Sequence, residues 1–403
     1  MELDMNILSD RILNMEESAT LAMAALAREL QNKHGDVISL SLGEPNFKTP
    51  EHICEGAKEA IDSGKYFAYP PVAGYVDLKE AIAKKLREEN GITKAEAKHI
   101  IVSNGAKQSI ANVMFALLNP GDEVVIFSPY WVSYSALVEL PGGVPVFIEG
   151  GIEEDFKATA QQLKAAITSR TKAIIYSSPC NPTGAVFTKE ELEAIADVVK
   201  EHEDIIVIAD EIYEHINYTD AHASMAAIPG MFERTATING FAKGFAMTGW
   251  RVGYLCGPEW LTKACIKMQG QITSANASIS QRAALTALTS DLGPTRAMSA
   301  EYRKRRDLVY DKLNEIPGVK ANMPMGAFYF FPDISSYFGK TDGNSTINNA
   351  DDLCMYIMEK AHVSTVEGGA FGAPNCIRLS YAASIEDLNE GLERIKVALS
   401  YLK

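Results

Sequence analysis

The residues best able to do chemistry lie in the run Asn239-Gly-Phe-Ala-Lys243-Gly-Phe-Ala-Met-Thr-Gly249-Trp-Arg251-Val-Gly253. A lysine among small and apolar neighbours loses hydration, which disfavours its charged form. Its amine is then available to attack a carbonyl and form a Schiff base. Arg251 offers a planar fork that suits a phosphate. Gly249 and Gly253 let the backbone come close to a ligand. A snorkelling surface lysine and an ordinary ion-paired arginine would give the same letters.

Three further segments carry polar groups of the right kind. In Ala209-Asp210-Glu211-Ile212-Tyr213, an aspartate after an apolar run can pair with a pyridinium nitrogen, and Tyr213 can donate to a phenolic oxygen. A helix N-cap with a core tyrosine is the alternative. In Ser178-Pro-Cys-Asn181-Pro-Thr-Gly184, the prolines and glycine make a rigid turn that places the Asn181 amide, or simply a turn. Ser103-Asn-Gly105-Ala106-Lys107-Gln108 opens an amphipathic stretch, and a helix start presents free N–H groups to an anion. The spacing is not that of a P-loop.

These segments need elements to position them. Apolar runs predict strands at 123–128, 144–148, 173–177, 205–209, 235–239 and 252–256, with helices at 106–118, 158–167 and 189–202 between several of them. That alternation predicts an α/β domain with a mostly parallel sheet. In such sheets ligands sit beyond the carboxyl ends of the strands, where Asp210 and Asn181 fall. After about residue 294 the pattern changes to a long charged helix (299–315), read as a solvated face, then strands at 327–331 and 376–380 and helices at 351–360 and 385–399. The expected division is a large domain of 49–293 and a smaller α+β domain of 1–48 with 294–403.

With 38 basic and 52 acidic residues the formal net charge is −14, which argues against a nucleic-acid binder. No apolar stretch is long enough to span a membrane, and residues 1–11 lack the pattern of a signal peptide. Six scattered cysteines without a CxxC pair suit a reduced compartment, so the cytoplasm is expected. No metal-ligand spacing stands out, and no metal is expected.

Together and in this order, the segments resemble the fold-type-I pyridoxal 5′-phosphate (PLP) aminotransferases, and within them the bacterial aspartate and aspartate/prephenate subgroup. The resemblance runs from Ser18-Ala-Thr20 to Arg378-Leu-Ser380. It implies that Lys243 carries the cofactor and moves the substrate proton, that Asp210 binds the pyridine nitrogen, and that Asn181 and Tyr213 bind the phenolic oxygen. It also implies a phosphate site at Arg251, Gly105, Ala106 and Lys107, with Trp131 against the ring or the substrate. Arg378 would clamp the substrate α-carboxylate and Gly43 would meet the substrate through its backbone. Tyr69, in Tyr69-Pro-Pro-Val-Ala-Gly74, would reach the phosphate site of a neighbouring subunit, making the unit a homodimer. Many relatives carry serines at the positions held here by Gly240 and Ala242, which shifts phosphate binding toward Arg251, the helix start and Asn239.

For a dicarboxylic substrate the resemblance points to Lys107, Ser18 and Thr20 at the distal carboxylate; Thr20 could instead cap the helix that follows. The expected reaction is aspartate with 2-oxoglutarate, giving oxaloacetate and glutamate. Prephenate use goes in relatives with a basic residue before the Ser-Ala-Thr segment, where this chain has Glu16-Glu17. Prephenate or broader amino-acid use is the first alternative. A PLP C–S lyase or aminocyclopropane-carboxylate synthase on the same fold is the next. A PLP-sensing regulator would need a DNA-binding helix-turn-helix, and none precedes Gly43.

Overall fold

The computed structural model describes residues 7–403, apart from 14, 16 and 18 and the side chain of residue 34. Its centre is a seven-stranded sheet in the spatial order Ile100–Ser103, Gly253–Cys256, Thr235–Gly240, Ile206–Asp210, Thr171–Ser177, Glu123–Ser128, Val144–Glu149. All neighbours run parallel except Gly253–Cys256, which is antiparallel to both strands beside it. Strands such as Glu123–Ser128 and Ile206–Asp210 read as apolar runs because both faces are covered, whereas the edge strand Val144–Glu149 leaves Val144 and Phe147 exposed. Ile101, Leu255, Ile238, Ile208 and Ile175 face one side, against helices Ala106–Leu117, Ser133–Glu139 and Glu259–Ile272. The alternate residues face the other side. There Ala209, Val207 and Ile174 meet Lys189–Lys200, while Val102, Tyr254 and Cys256 meet Glu51–Asp62, Val76–Glu88 and Ser278–Thr289.

A separate core joins the N-terminal helix Ala19–His34 to the C-terminal elements. Met23, Ala27 and Leu40 pack there with Phe328, Tyr329, Phe330, Leu353, Leu379 and Leu392. Its strands form a three-stranded antiparallel sheet, ordered Val366–Glu367, Ile377–Ser380, Tyr329–Phe330, and a short parallel pair, Ile38–Ser39 with Val363–Ser364.

The six strands expected in the central sheet are all present, with ends moved by at most two residues, while the seventh, Ile100–Ser103, was not expected. Two expectations are corrected. The charged helix, observed at Gly293–Asn314, is not a simple solvated face, because Arg305 and Arg306 are buried. Arg305 donates to Asn46 Oδ1 at 2.8 Å and lies over the Phe47 ring, and Arg306 lies over the Tyr218 ring. Thr20 is not a helix cap, since the helix already begins at Ala19.

Candidate active site

Strand register gathers the chemistry at one edge of the sheet. Ser177 pairs with Asp210, and Asp210 with Ile238, so three parallel strands end level with one another. The loops carrying Asn181, Tyr213 and Lys243 therefore leave from the same edge. The antiparallel strand starts where its neighbours stop: Gly253 pairs with both Gly240 and Ser103. Arg251, just before it, and Gly105, just after Ser103, are thus brought to that edge too.

Lys243 is partly buried, and its ammonium donates to the Gly43 carbonyl. It lies 5.6 Å from the centre of the Tyr213 ring and 5.8 Å from that of Phe328. Burial, helped by Arg378 and Arg251, brings its pKa down to about 8, against the opposing pull of Glu44 and Asp210. Asp210 is 4% exposed. Burial pushes its carboxyl up to about 6, although hydrogen bonds from Tyr134 and the Ile212 N–H pull the other way. The Tyr134 hydroxyl donates to Asp210 Oδ2 at 2.6 Å. The Tyr213 and Tyr329 hydroxyls share a hydrogen bond of 2.7 Å, and burial holds the Tyr213 phenol well above its ordinary pKa.

Arg378 is 1% exposed and lies between the rings of Tyr329 and Phe371, 4.7 and 4.8 Å from their centres. It donates to Asn181 Oδ1 at 2.9 Å and to the Ser41 carbonyl at 2.7 Å, and its Nε has no partner among the described residues. Burial lowers its pKa.

At the other end, Gly105 has φ +83° and precedes the helix Ala106–Leu117. Arg251 is held by the carbonyls of Thr248 and Asn104 at 3.0 and 3.3 Å. A Cβ at residue 105 would run into the Arg251 guanidinium. The first N–H groups of that helix have no partners within it, so they and Arg251 form a cradle for an anion. The Lys107 ammonium lies 4.8 Å from the centre of the half-buried Trp131 ring, and burial, then Arg251, lowers its pKa.

The serine missing at position 240 has a steric explanation. A Cβ on Gly240 would sit 2.8 Å from both the Gly253 Cα and the Val252 carbonyl oxygen. Asn239, at the same edge, uses its Oδ1 on the Gly240 N–H, while its buried Nδ2 has no partner among the described residues.

The remaining expected residues are placed differently. Thr20 is half-buried in the first turn of its helix, and Ser18 lies outside the described residues. Tyr69 is 95% exposed. Two residues at the site were not expected from the sequence, Tyr134 and Tyr329. The first follows Trp131 at helical spacing, and the second lies in the apolar run Phe328–Phe331, where it looks like core. Cys180 beside Asn181 is buried, its thiol pushed up to about 11 by burial. Glu211, Glu214 and His222 bring ligand-type atoms within 4.8 Å of one another, but the Lys85 ammonium already pairs with Glu214 there.

The model of the family Aminotransferase class I and II matches residues 35–395. The chain is 46% identical over 403 residues to the bifunctional aspartate aminotransferase and glutamate/aspartate-prephenate aminotransferase of Petunia hybrida, covering 98% of this chain and 83% of that protein. It is 44% identical over 398 residues to the aspartate/prephenate aminotransferase of Cereibacter sphaeroides, covering 97% and 98%. The crystal structure of the Rhizobium meliloti aspartate aminotransferase superposes with a TM-score of 0.94 at 40% identity, covering 98% and 99% of the two chains. That of the Thermus thermophilus enzyme with maleate gives 0.90 at 43% identity, covering 97% and 99%. With the strand-edge constellation on one side and these likenesses on the other, the chain belongs to the class I and II aminotransferases.

Proposed function

We propose that this aminotransferase moves the amino group of aspartate to 2-oxoglutarate, yielding oxaloacetate and glutamate, with PLP carried by Lys243. Arg378 carries the reading. It is a buried guanidinium with no carboxylate within ion-pair distance among the described residues. A buried charge without a counter-charge is costly. The α-carboxylate of an amino acid supplies that charge as a two-point partner.

The residues present fit PLP. Arg251, Gly105, Ala106 and Lys107 form the phosphate cradle, Asp210 suits the ring nitrogen, and Asn181 and Tyr213 suit the phenolic oxygen. Trp131 offers a flat face. The unpartnered Nδ2 of Asn239 fits as an extra donor to the phosphate. When bound, PLP supplies an electron-poor ring that eases loss of the substrate Cα proton.

The chain does the rest. Arg378 fixes the substrate so that its Cα–H faces Lys243, and the Gly43 backbone closes the other side. Lys243 Nζ would take the Cα proton and deliver it to the carbon that bears the cofactor's aldehyde, since its depressed pKa makes it a base near neutral pH. The carboxylate of Asp210 keeps a proton on the ring nitrogen. Amino donor and keto acceptor would use Arg378 in turn, with the amino group kept on the cofactor between them, which gives ping-pong kinetics.

For the distal carboxylate, Lys107, with Thr20 and Ser18 from the N-terminal segment, is the proposed partner. The maleate in the Thermus thermophilus structure is a dicarboxylate of the same kind. Relatives named aspartate/prephenate aminotransferases favour a second reading, prephenate as acceptor. The acidic pair Glu16-Glu17, standing where relatives that use prephenate carry a basic residue, supports prephenate as the slower acceptor.

We further propose a division into 49–293, which holds PLP, and 1–48 with 294–403, which the joint packing of Met23, Ala27 and Leu40 with Phe330, Leu379 and Leu392 supports. The exposed Tyr69 supports a homodimer with shared sites. The described cysteines are all free thiols, in keeping with the cytoplasm, and no helix among the described residues is long and apolar enough to cross a membrane.

The test is a half-reaction. Protein loaded with PLP and mixed with single amino acids should pass from the aldehyde to the amine form with aspartate, releasing oxaloacetate. Lys243→Ala should do neither. Aspartate reacting no faster than alanine would refute the choice of donor.

A further inference from the structure

The carboxylate of Asp210 is held from two directions. The Ile212 N–H donates to Oδ1 at 3.3 Å, and the Tyr134 hydroxyl donates to Oδ2 at 2.6 Å. A carboxylate offers about four acceptor positions, so two remain for a ligand. Tyr134 comes from the helix Ser133–Glu139, which packs on the sheet face that Asp210 shares with Ile208 and Ile238. Its ring is buried edge-on to Trp131, with centres 5.6 Å apart. The hydroxyl therefore cannot swing away without losing that packing. The charged or titratable groups that also face Asp210 are Glu211, Lys243, Tyr213 and Cys180. Of these Lys243 alone favours the ionised carboxyl, and it is the group that must lose its charge during the reaction.

We propose that Tyr134 is a positioning residue for the ring-nitrogen contact: its hydroxyl keeps Asp210 ionised and aimed, so that the proton shared between Asp210 and the cofactor ring stays on the ring nitrogen. This rests on the reading of Asp210 given above. A hydrogen bond to the anionic form stabilises that form, and one from a buried donor is among the stronger kind. Burial also keeps the Tyr134 phenol well above its ordinary pKa, so it remains a donor over the working pH range.

The experiment compares wild type with Tyr134→Phe, each loaded with PLP carrying 15N at the ring nitrogen. The wild type should give the NMR signal of a protonated nitrogen, and the variant a signal moved toward the unprotonated position. In the variant kcat should fall about tenfold, the scale of one charge-assisted hydrogen bond, with KM for aspartate kept. A PLP analogue with carbon in place of the ring nitrogen should bind both proteins equally. A variant whose nitrogen stays as protonated as in the wild type overturns the proposal. So does equal loss of affinity for PLP and the carbon analogue, which would mark Tyr134 as packing alone. A wild type that takes up no PLP, or holds it with an unprotonated nitrogen, defeats the prior reading of Asp210 and removes the ground of the proposal with it.

Discussion

Lys243 makes the residue-scale case for function, and its titration is measurable before any turnover. A neutral amine is needed to attack the aldehyde of PLP. Since burial holds the amine at about 8, the rate at which cofactor-free protein takes up PLP should rise with pH, pass its midpoint near that value and then level off. A rate that keeps climbing toward the ordinary lysine value would place Lys243 in water instead. Gly240 supports a second prediction. Its Cβ position is already filled by the Gly253 and Val252 backbone, so Gly240→Ser should bring no gain in PLP affinity and cost about 1–3 kcal/mol in urea denaturation. Tighter cofactor binding in that variant would show that the two strands can part. Lys243, Asp210 and Asn181 were legible in the sequence, because a lysine among alanines, an aspartate after an apolar run and an asparagine between prolines are each locally odd, whereas Arg378, Gly43 and Trp131 came only with the family resemblance. Tyr134 and Tyr329 were not legible, because an aromatic in an apolar stretch is the letter a core would also use. Only the strand register and helix packing reveal what their hydroxyls reach.

At the scale of elements, the strand edge is backed by a buried polar cluster on the opposite face from Tyr134. Lys85, on the helix Val76–Glu88, pairs with Glu214 and donates to Asn90 Oδ1 at 2.7 Å. Asn90 donates to Glu214 Oε2 at 2.6 Å, while Ser224 and His222 meet Glu211 Oε2 at 2.6 and 3.0 Å. The cluster thereby ties the segment 211–214, which follows Asp210 and contains Tyr213, to a helix far away in sequence. Lys85→Ala would leave Glu214 buried without its lysine counter-charge, at a cost of about 3–5 kcal/mol. Denaturant titration of that variant should show the loss, and Lys85→Met with Glu214→Leu should recover much of it. The sign of the pH effect follows from Glu214, whose carboxyl is lowered to about 2, with Lys85 as the largest force opposing its burial. Its contribution is complete above the ordinary glutamate value and is lost as pH falls toward about 2. Sequence alone gave no hint of this cluster, as its members are spread from position 85 to 224. Arg305 and Arg306 show the same limit. Helical spacing of charges predicts a wet face, and only the arrival of Asn46, Phe47 and Tyr218 makes it a buried one. Six of the seven central strands were legible from their apolar or β-branched runs, but Ile100–Ser103 was missed although it is buried throughout, because four residues are too short a run to stand out. Helices such as Glu51–Asp62 and Val76–Glu88 were not named, since their pattern is half-polar and the strand that follows them, Ile100–Ser103, was itself missed.

For the whole molecule, the question is whether one chain completes a site. Tyr69 is 95% and Phe67 is 89% exposed, on the loop between Glu51–Asp62 and Val76–Glu88. Two large aromatics exposed on one loop are a poor end state for a single chain and a good one for an interface. If Tyr69 serves the phosphate site of a second copy, defects at Lys243 and Tyr69 lie in different chains of the same site. Lys243→Ala and Tyr69→Ala would each form a poorly active homodimer. In a hybrid, the subunit that keeps Lys243 receives an intact Tyr69 from its partner, and the other site lacks both. Unfolding and refolding the two variants together at equal amounts makes about half of the dimers hybrid, each with one complete site, so about a quarter of the wild-type activity should return. Activity that stays at the average of the two parents after mixing would place Tyr69 within its own chain's site or outside it altogether. Activity that returns while the mixed protein runs as a monomer would refute the shared arrangement just as directly.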